Sequence, residues 1–313
     1  MQLLKIDKDN YIGQADPCII EHQGRYYIYT TGDDGLYGYS CDTLLGDWKF
    51  EGQIFTLEGR DHFWAPSVIY LDGKFYMYFS FEYYEDEPDQ GGHHQAMHVA
   101  VSDNPMGPFT LAGQIAHPFS IDSHIVKTQA GLFLFYSPNT FEGERIGTHI
   151  VVQKMKDPYT LEGEPTVVLL ASIDEEIFCR DRYKKGQHWH TLEGAFWFQE
   201  GEWQYLMYSG GRYEDETYFV GYAAAKTTEQ DLTKVKFQKM PDENTYAPLL
   251  RSNDWEEGTG HNSVIKVDGQ YYCVYHARNT EADGLNGDRR NARIAKMHVA
   301  DGKITIERYP DHI

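Results

Sequence analysis

Three acidic residues and one histidine occupy matching places in a repeated sequence unit. The unit is a strand-like run, a tight turn and an aromatic-rich run, and its copies begin at these residues: Asp16, Ala65, Asp122, Glu193 and His261. Eight positions after each start stands one of these residues: Gly24, Gly73, Ala130, Gly201 and Gly269. If the copies surround an axis, equivalent positions face one point, so three carboxyl groups and an imidazole should meet there.

Carboxyl groups that share a semi-enclosed cavity cannot all keep ordinary pKa values. Removal from water and mutual repulsion raise the pKa of at least one of them, which leaves a proton donor beside a carboxylate base. Hydrolysis of a glycosidic bond requires that pair, because the acid protonates the leaving oxygen and the carboxylate activates water or attacks the anomeric carbon. Taken singly, such residues at strand starts are usually turn residues, so the prediction depends on their shared register.

Each copy continues into two further runs with strand character. The third runs span 35–42, 96–103, 148–157, 218–227 and 292–301, and a more polar fourth run follows each. Four antiparallel strands in each of five copies predict an all-β fold, a five-bladed β-propeller. The predicted blades span 15–55, 64–116, 121–168, 192–240 and 260–309. The whole chain, 1–313, is predicted to be a single catalytic domain.

The loops of the repeated unit predict which end of the propeller carries function. In an up-and-down blade, the start of the first strand lies on the same side as the loop between the second and third strands. Long loops of this kind span 81–95, 137–147, 209–217 and 276–291, whereas the turns between the first and second strands are short. The long loops and the acidic positions therefore share one predicted mouth.

Composition and charge exclude several classes of function. Lys and Arg number 28 against 48 Asp and Glu, and the formal net charge of −20 makes nucleic acid and anionic membranes poor partners. No apolar run reaches about 18 residues, so no membrane span is predicted. The N-terminus has no basic stretch followed by an apolar run, which predicts a cytoplasmic location. The widely separated cysteines are expected to be reduced.

The same residues carry a family resemblance along essentially the whole chain. Its motifs are ADP at 15–17, WAPS at 64–67, IDSH at 121–124, LEG at 192–194 and GTGHNS at 258–263. In this order and on these predicted blades, the chain resembles glycoside hydrolase family 43, five-bladed enzymes that act on arabinose- and xylose-containing glycans. The resemblance implies Asp16 as general base, Glu193 as general acid and Asp122 as the residue that raises the acid's pKa and orients it.

The resemblance also implies the reaction and the substrate. Inversion by single displacement is expected, with the base and acid carboxyls roughly 6.5–9.5 Å apart so that a water fits between. The expected partner is a small arabinose- or xylose-containing oligosaccharide, and no cofactor is required. An alpha-L-arabinofuranosidase is favoured over a beta-xylosidase, because some family members that cleave β-xylosides add a C-terminal β-sandwich and this sequence stops at Ile313.

Three further residues are implied to face the substrate. His261 stands where family members reach the axis, often toward a bound calcium or water, and a calcium would need oxygen ligands as well. Arg293 resembles an arginine placed near the substrate and the pKa-modulating carboxylate. Trp64 could form a platform for a sugar ring. The alternatives are a buried histidine satisfied by backbone or solvent, an arginine paired with surface acids, and a tryptophan buried in a blade core.

Two other functions are compatible with parts of the pattern. The related fructan hydrolases are five-bladed and retain configuration, but their Asn-Asp-Pro-Asn-Gly, Arg-Asp-Pro and Glu-Cys motifs are replaced here. The corresponding residues are Ala15-Asp16-Pro17-Cys18, Arg180-Asp181-Arg182 and Glu193-Gly194. A non-catalytic propeller, such as a lectin or an interaction scaffold, could bind sugar at the same aromatic mouth and would not need the carboxylates.

Overall fold

The computed structural model describes residues 1–5, 12–82, 94–280 and 289–310. The described part of the chain is built almost wholly from β-strands, which confirms the all-β prediction. Two short 3-10 helices, Asp174–Glu176 and Leu232–Lys234, lie in connections. Over the same residues, no helix has the length and apolar character that crossing a membrane requires.

Among the described residues, the strands form one larger sheet and four antiparallel four-stranded sheets, and the neighbouring strands of each four-stranded sheet follow one another along the chain. The first sheet contains β1 (Cys18–His22), β2 (Arg25–Thr30), β3 (Leu36–Cys41) and β4 (Lys49–Phe55). The second contains β5 (Trp64–Leu71), β6 (Lys74–Glu82), β7 (Gln95–Ser102) and β8 (Thr110–Gln114). Exposed residues alternate with partly buried ones along the outer strand β8, which shows that one of its faces is turned to solvent.

A larger sheet comes next and is followed by two more sheets of four strands. It contains β9 (Ser120–Thr128), β10 (Gly131–Thr140), β11 (Gly147–Thr148), β12 (Ile150–Asp157), β13 (Thr160–Leu169), β14 (Ile177–Cys179) and β15 (Trp189–His190). The next contains β16 (Leu192–Glu200), β17 (Trp203–Gly210), β18 (Phe219–Lys226) and β19 (Gln238–Lys239). The last contains β20 (Glu256–Val267), β21 (Gln270–Asn279), β22 (Asn291–Ala300) and β23 (Lys303–Glu307).

The first strands of the sheets stand side by side around a common axis. Strand β5 contacts β1 and β9, β16 contacts β9 and β20, and β20 contacts β1. Hydrogen bonds join the neighbours, since Ser67 Oγ accepts the Ile125 N–H at 3.2 Å and Ser263 Oγ accepts the Ile19 N–H at 3.2 Å. The second of these bonds joins the first sheet to the last one. The fold is therefore a closed propeller of antiparallel sheets.

Hydrophobic cores fill the spaces between neighbouring sheets. Between the first and second sheets the core is rich in aromatic rings, including Tyr29, Phe63 and Phe79. Between the last and first sheets Ile28 packs with Val274, so the ring is also closed by apolar packing. Burial of one such side chain stabilises a fold by about 1.5–3 kcal/mol. These cores account for the high aromatic content and hold the first strands at the axis.

The register of the repeats differs from the prediction in the fourth copy. A left-handed backbone marks the start of each first strand, with φ of 52°, 49°, 58°, 59° and 44° at Asp16, Ala65, Asp122, Gly194 and His261. The equivalent residue of the fourth copy is thus Gly194, and Glu193 stands one position before it.

The prediction counted back from the turn glycine of each copy, but that glycine does not hold the same place in every turn. In the first copy His22 pairs with Arg25, so Gly24 is the second residue of the turn. In the fourth copy Glu200 pairs with Trp203, which makes Gly201 the first residue of its turn. Counting eight positions back from the turn glycine therefore gives Glu193 in the fourth copy, one residue before the equivalent residue Gly194.

The predicted mouth is described in part. The loops 137–147 and 209–217 lie wholly within the described residues, whereas most of 81–95 and much of 276–291 lie outside them. The cysteines are free thiols, with Cys41 and Cys273 buried and Cys18 and Cys179 partly buried.

Candidate active site

Asp16 precedes β1, and its carboxylate is almost completely buried. Thr31 Oγ1 donates a 2.5 Å hydrogen bond to Oδ2, while Arg290 Nη1 lies 3.3 Å from Oδ1. The Nδ1 atoms of His276 and His261 lie 3.3 Å and 3.4 Å from Oδ1. Burial alone would raise the pKa of Asp16, but neighbouring groups, Arg290 first among them, outweigh burial and hold that pKa below its ordinary value. Asp16 is therefore ionised at neutral pH.

Asp122 faces the same histidine from the neighbouring side. It lies in β9 and is buried, and its Oδ2 accepts the Gly194 N–H at 2.9 Å and lies 3.5 Å from His261 Nδ1. Burial and the negative charge of Asp16 raise the pKa of Asp122 to about 8. Asp16 Oδ1 and Asp122 Oδ2 lie 3.4 Å and 3.5 Å from the same atom, His261 Nδ1, so the two carboxyl groups are neighbours at the axis.

Glu193 lies in β16, directly before the left-handed residue Gly194, and its side chain is half-buried. Tyr218 donates a 2.7 Å hydrogen bond from its hydroxyl to Oε1. Burial, followed by the charge of Asp122, raises the pKa of Glu193 to about 8, and Asp16 adds to the rise. Glu193 thus joins Asp16 and Asp122 in one electrostatic cluster at the axis.

The charge of Asp122 raises the pKa of Glu193, and the charge of Asp16 raises the pKa of both, so the ionisations of the three carboxyl groups are coupled. The Gly194 N–H and the charge of Arg290 favour the ionised form of Asp122. Tyr218 bonds to Oε1 of Glu193, and none of the described residues makes a hydrogen bond to Oε2, which can carry the proton. The arrangement therefore presents an ionised Asp16 and a protonated Glu193 to the same cavity, which is the acid and base pair of glycoside hydrolysis.

His261 lies at the axis, with Nδ1 between the carboxylates of Asp16 and Asp122. Its backbone N–H donates to Ser209 Oγ at 2.8 Å. Among the described residues, no group of three or more His, Cys, Asp or Glu side chains is arranged to hold a metal ion. Calcium bound through His261 and water stays a prediction.

Trp64 occupies the ladder position that corresponds to Glu193, one residue before a left-handed residue. Trp64 pairs with Ser80 as Glu193 pairs with Ser209. Its ring is partly exposed and lies nearly parallel to His62, with 6.3 Å between ring centroids and 14° between planes. This placement fits a sugar platform at the mouth better than a buried core residue.

The structure corrects the assignment of Arg293 to the substrate. Arg293 is completely buried, with Nε 3.3 Å from Glu256 Oε2, and its Nη2 donates to Asn279. Glu256 also accepts hydrogen bonds from Arg308 at 2.8 Å and from Tyr275 at 3.1 Å. A guanidinium without solvent exposure cannot bind substrate hydroxyls, and its acidic partner is a buried residue rather than a surface one. The arginine beside Asp16 is Arg290.

This difference predicts that substitution of Arg293 lowers mainly the stability of the protein, whereas substitution of Arg290 lowers mainly its activity. Arg293→Met leaves the buried Glu256 short of a cation and is expected to cost about 3–5 kcal/mol of folding free energy. Arg290→Met removes the cation beside Asp16 and is expected to lower kcat/KM by about 10- to 100-fold with a smaller loss of stability. Thermal unfolding and kinetics of both variants measure the contrast. Equal stability losses would contradict these assignments.

The sequence reasoning missed Thr31, Arg290, Tyr218 and His276. The sequence contains a signal for Thr31 and His276, because a residue with a hydroxyl or an imidazole stands opposite the start of the first strand in every copy. These residues are Thr31, Ser80, Ser137, Ser209 and His276. Three of them accept the backbone N–H that begins the next first strand around the ring. No repeat marks Tyr218 or Arg290.

Comparison with known proteins agrees with the fold and with the family resemblance. The sequence profile described as Glycosyl hydrolases family 43 matches residues 55–304. An extracellular exo-alpha-(1->5)-L-arabinofuranosidase of Streptomyces avermitilis is 29% identical over 95% of this chain and 65% of its own length. An arabinan endo-1,5-alpha-L-arabinosidase A of Aspergillus niger is 27% identical over 63% of this chain and 58% of its own. The chain thus spans less than two thirds of the length of these relatives.

Solved structures agree as well. The crystal structure of a thermostable family-43 glycoside hydrolase superposes with a TM-score of 0.79 and 26% identity, covering 99% of this chain and 96% of the other. The shared architecture therefore extends over nearly the whole of both chains.

Proposed function

The chain belongs to glycosyl hydrolases family 43, and from that membership we propose that it hydrolyses arabinose- or xylose-containing oligosaccharides by an inverting single displacement. The observation that carries the proposal is the pair of opposed carboxyl groups at the axis. Asp16 is held ionised by Arg290 and its neighbours, and the pKa of Glu193 is raised by burial and by Asp122. A lectin or a scaffold has no use for such a pair.

The proposed reaction takes place in one step. Asp16 accepts a proton from a water molecule while the water oxygen bonds to the anomeric carbon from one face. Glu193 gives its proton to the glycosidic oxygen, whose bond to the anomeric carbon breaks on the opposite face. Asp122 raises the pKa of Glu193 before the reaction and orients it. The product sugar has inverted configuration, and the leaving group departs as an alcohol.

We extend the proposal to a five-bladed propeller in a single domain, 1–313. Within the larger sheet, β9, β10, β12 and β13 pair in the same antiparallel order as the strands of the four-stranded sheets. Strands β11, β14 and β15 are additions at the end of β10. The meander of β9, β10, β12 and β13 is therefore proposed as a blade, the third in chain order, which together with the four-stranded sheets makes five.

The favoured substrate is a short alpha-L-arabinofuranoside, with a beta-xyloside as the next candidate. The curated relatives reported above are named for arabinose-releasing activities, which supports this order. Trp64 is the proposed platform for a sugar ring at the mouth. A cytoplasmic location stays a prediction, and the relative from Streptomyces avermitilis is described as extracellular.

The pH dependence of the reaction follows from the two carboxyl groups. Glu193 acts only when protonated, so kcat/KM is expected to fall about tenfold per pH unit above the raised pKa of about 8. Asp16 acts when ionised, and its lowered pKa keeps it ionised through the mildly acidic range. The profile should therefore stay flat through the mildly acidic and neutral range, provided that the protein remains folded. A rate that already falls above about pH 5 would contradict the raised pKa.

One experiment tests substrate, cleavage mode and stereochemistry together. The protein is incubated with nitrophenyl glycosides and with short arabino- and xylo-oligosaccharides, and proton NMR follows the first anomer released. We expect release of arabinose or xylose with inverted configuration. Retained configuration would indicate a fructanase-type mechanism, and binding without any hydrolysis would favour a lectin.

A further inference from the structure

Two aromatic rings connect the residues proposed as base and acid. We propose that His276 and Tyr218 form one positioning unit that holds Asp16 and Glu193 at a fixed separation and orientation. The inference rests on the proposed function, because it assigns a role to residues that contact the two carboxyl groups. Each ring contacts one carboxylate residue, and the rings lie parallel, with 5.8 Å between centroids and 7° between planes.

His276 secures the base. Its Nδ1 accepts the backbone N–H of Asp16 at 3.1 Å and lies 3.3 Å from Asp16 Oδ1. The Asp16 N–H is buried and would be costly without an acceptor, so this contact fixes Asp16 in its left-handed conformation, with a φ of 52°. His276 is completely buried, and burial lowers its pKa to about 3, so the ring is neutral and Nδ1 is available to accept.

Tyr218 secures the acid. Its hydroxyl donates to Glu193 Oε1 at 2.7 Å, and its ring is 1% exposed. The bond selects one orientation of a half-buried side chain and leaves Oε2 for the proton that is transferred. Without it, Glu193 would be free to rotate toward solvent, and the fraction of molecules ready for proton transfer would fall.

The backbone of β20 makes room for this unit. Gly260 pairs with His276 across the ladder, and a Cβ built on Gly260 would lie 1.8 Å from the Tyr218 ring. Glycine at 260 therefore lets the ring of Tyr218 lie against β20 and reach His276. In the other copies the equivalent positions carry these side chains: Ala15, Trp64, Ile121 and Glu193.

The repeat provides a matched substitution for each ring. His276→Ser introduces the residue found at the equivalent position 209, where Ser209 Oγ accepts the His261 N–H at 2.8 Å. This variant keeps an acceptor for the Asp16 amide but removes the stacked ring. Tyr218→Phe keeps the stacked ring but removes the hydroxyl. Tyr222→Phe, which removes a buried hydroxyl from β18, the strand that begins directly after Tyr218, is the control.

The variants are assayed on an arabino-oligosaccharide and on a nitrophenyl glycoside, whose leaving group needs little protonation. Tyr218→Phe should lower kcat by about 10-fold on the oligosaccharide and much less on the nitrophenyl glycoside, because it acts through the acid. His276→Ser should lower kcat by about 10- to 100-fold on both substrates, because it acts through the base. The double variant should lose less than the product of the two factors, as expected for one unit.

The pH profile gives a readout that loss of packing would not produce. The groups that face Glu193 are Asp122, His261, Asp16 and Tyr218, and the Tyr218 bond lowers its pKa. Tyr218→Phe should therefore move the alkaline limb to higher pH, whereas Tyr222→Phe should not. Thermal unfolding verifies that each variant is folded.

Two outcomes would overturn the inference. One is that both single variants retain the parent's kcat on both substrates. The other is an equal loss on both substrates by Tyr218→Phe with an unmoved alkaline limb. Failure of the proposed function looks different, because the parent protein itself would then hydrolyse none of the glycosides.

Discussion

Glu193→Gln is expected to lower kcat on arabino-oligosaccharides by about 10³-fold or more while leaving substrate affinity nearly unchanged. Glutamine has the same shape and can still accept the Tyr218 hydrogen bond at its amide oxygen. It has no carboxylic proton to give to the leaving oxygen. The loss should shrink by at least about tenfold on a dinitrophenyl glycoside, because that leaving group departs without protonation.

The measurement compares kcat for both substrates with binding to the inactive variant by calorimetry. Glu164→Gln is the control, since Glu164 is an exposed residue of the outer strand β13. Glu193→Gln should be at least as stable as the parent above neutral pH. The parent's Glu193 has a raised pKa, so the folded protein binds more protons than the unfolded chain and loses stability as pH rises toward about 8. Equal losses on both substrates would contradict the role of proton donor.

The parts of the site that could be predicted are those that the repeat carries. Asp16, Asp122 and His261 share a left-handed backbone at the same place in three copies, and sequence register alone brings them together. Glu193 was found by a shifted alignment, yet it still lies at the axis because it directly precedes the equivalent residue, Gly194. Neighbouring positions at the start of a first strand are all close to the axis, so an error of one residue was tolerated.

Contacts between distant parts of the chain could not be predicted in this way. Arg290 and Arg293 are three residues apart near the start of the third strand of the last sheet, and the sequence contains no signal that distinguishes them. Arg293 is buried because Glu256 lies beneath it in the fold. Tyr218 is one of 24 tyrosines, and only the three-dimensional approach of β18 to Gly260 shows its role.

The contacts that close the propeller between its last and first sheets could not be predicted either. His276 and Asp16 are 260 residues apart, and their hydrogen bond exists only because the last sheet packs against the first. The sequence predicted the copies but not which polar side chain of one sheet would contact the first strand of the next. That information lies in side-chain geometry across the interface, whereas the periodic pattern reports only which residues face a core.

Asp16→Asn is expected to lower kcat by about 10³-fold or more on oligosaccharides and on nitrophenyl glycosides alike. Asparagine tolerates the left-handed φ of 52° and can still accept the Thr31 hydrogen bond, so the backbone should be preserved. The amide cannot take a proton from the attacking water, and no leaving group compensates for that loss. This insensitivity to the leaving group is the opposite of the Glu193→Gln result and distinguishes base from acid.

Addition of azide to Asp16→Asn extends the test, because this small anion attacks without giving up a proton. It fits where the base would have activated water, so we expect faster turnover and a glycosyl azide of inverted configuration. Asp72→Asn, at an exposed aspartate with a left-handed φ of 49° in the turn between β5 and β6, is the control and should behave as the parent does. If Asp16→Asn instead lost activity only on substrates with poor leaving groups, Asp16 would be the acid. The roles of the two carboxyl groups would then have to be exchanged.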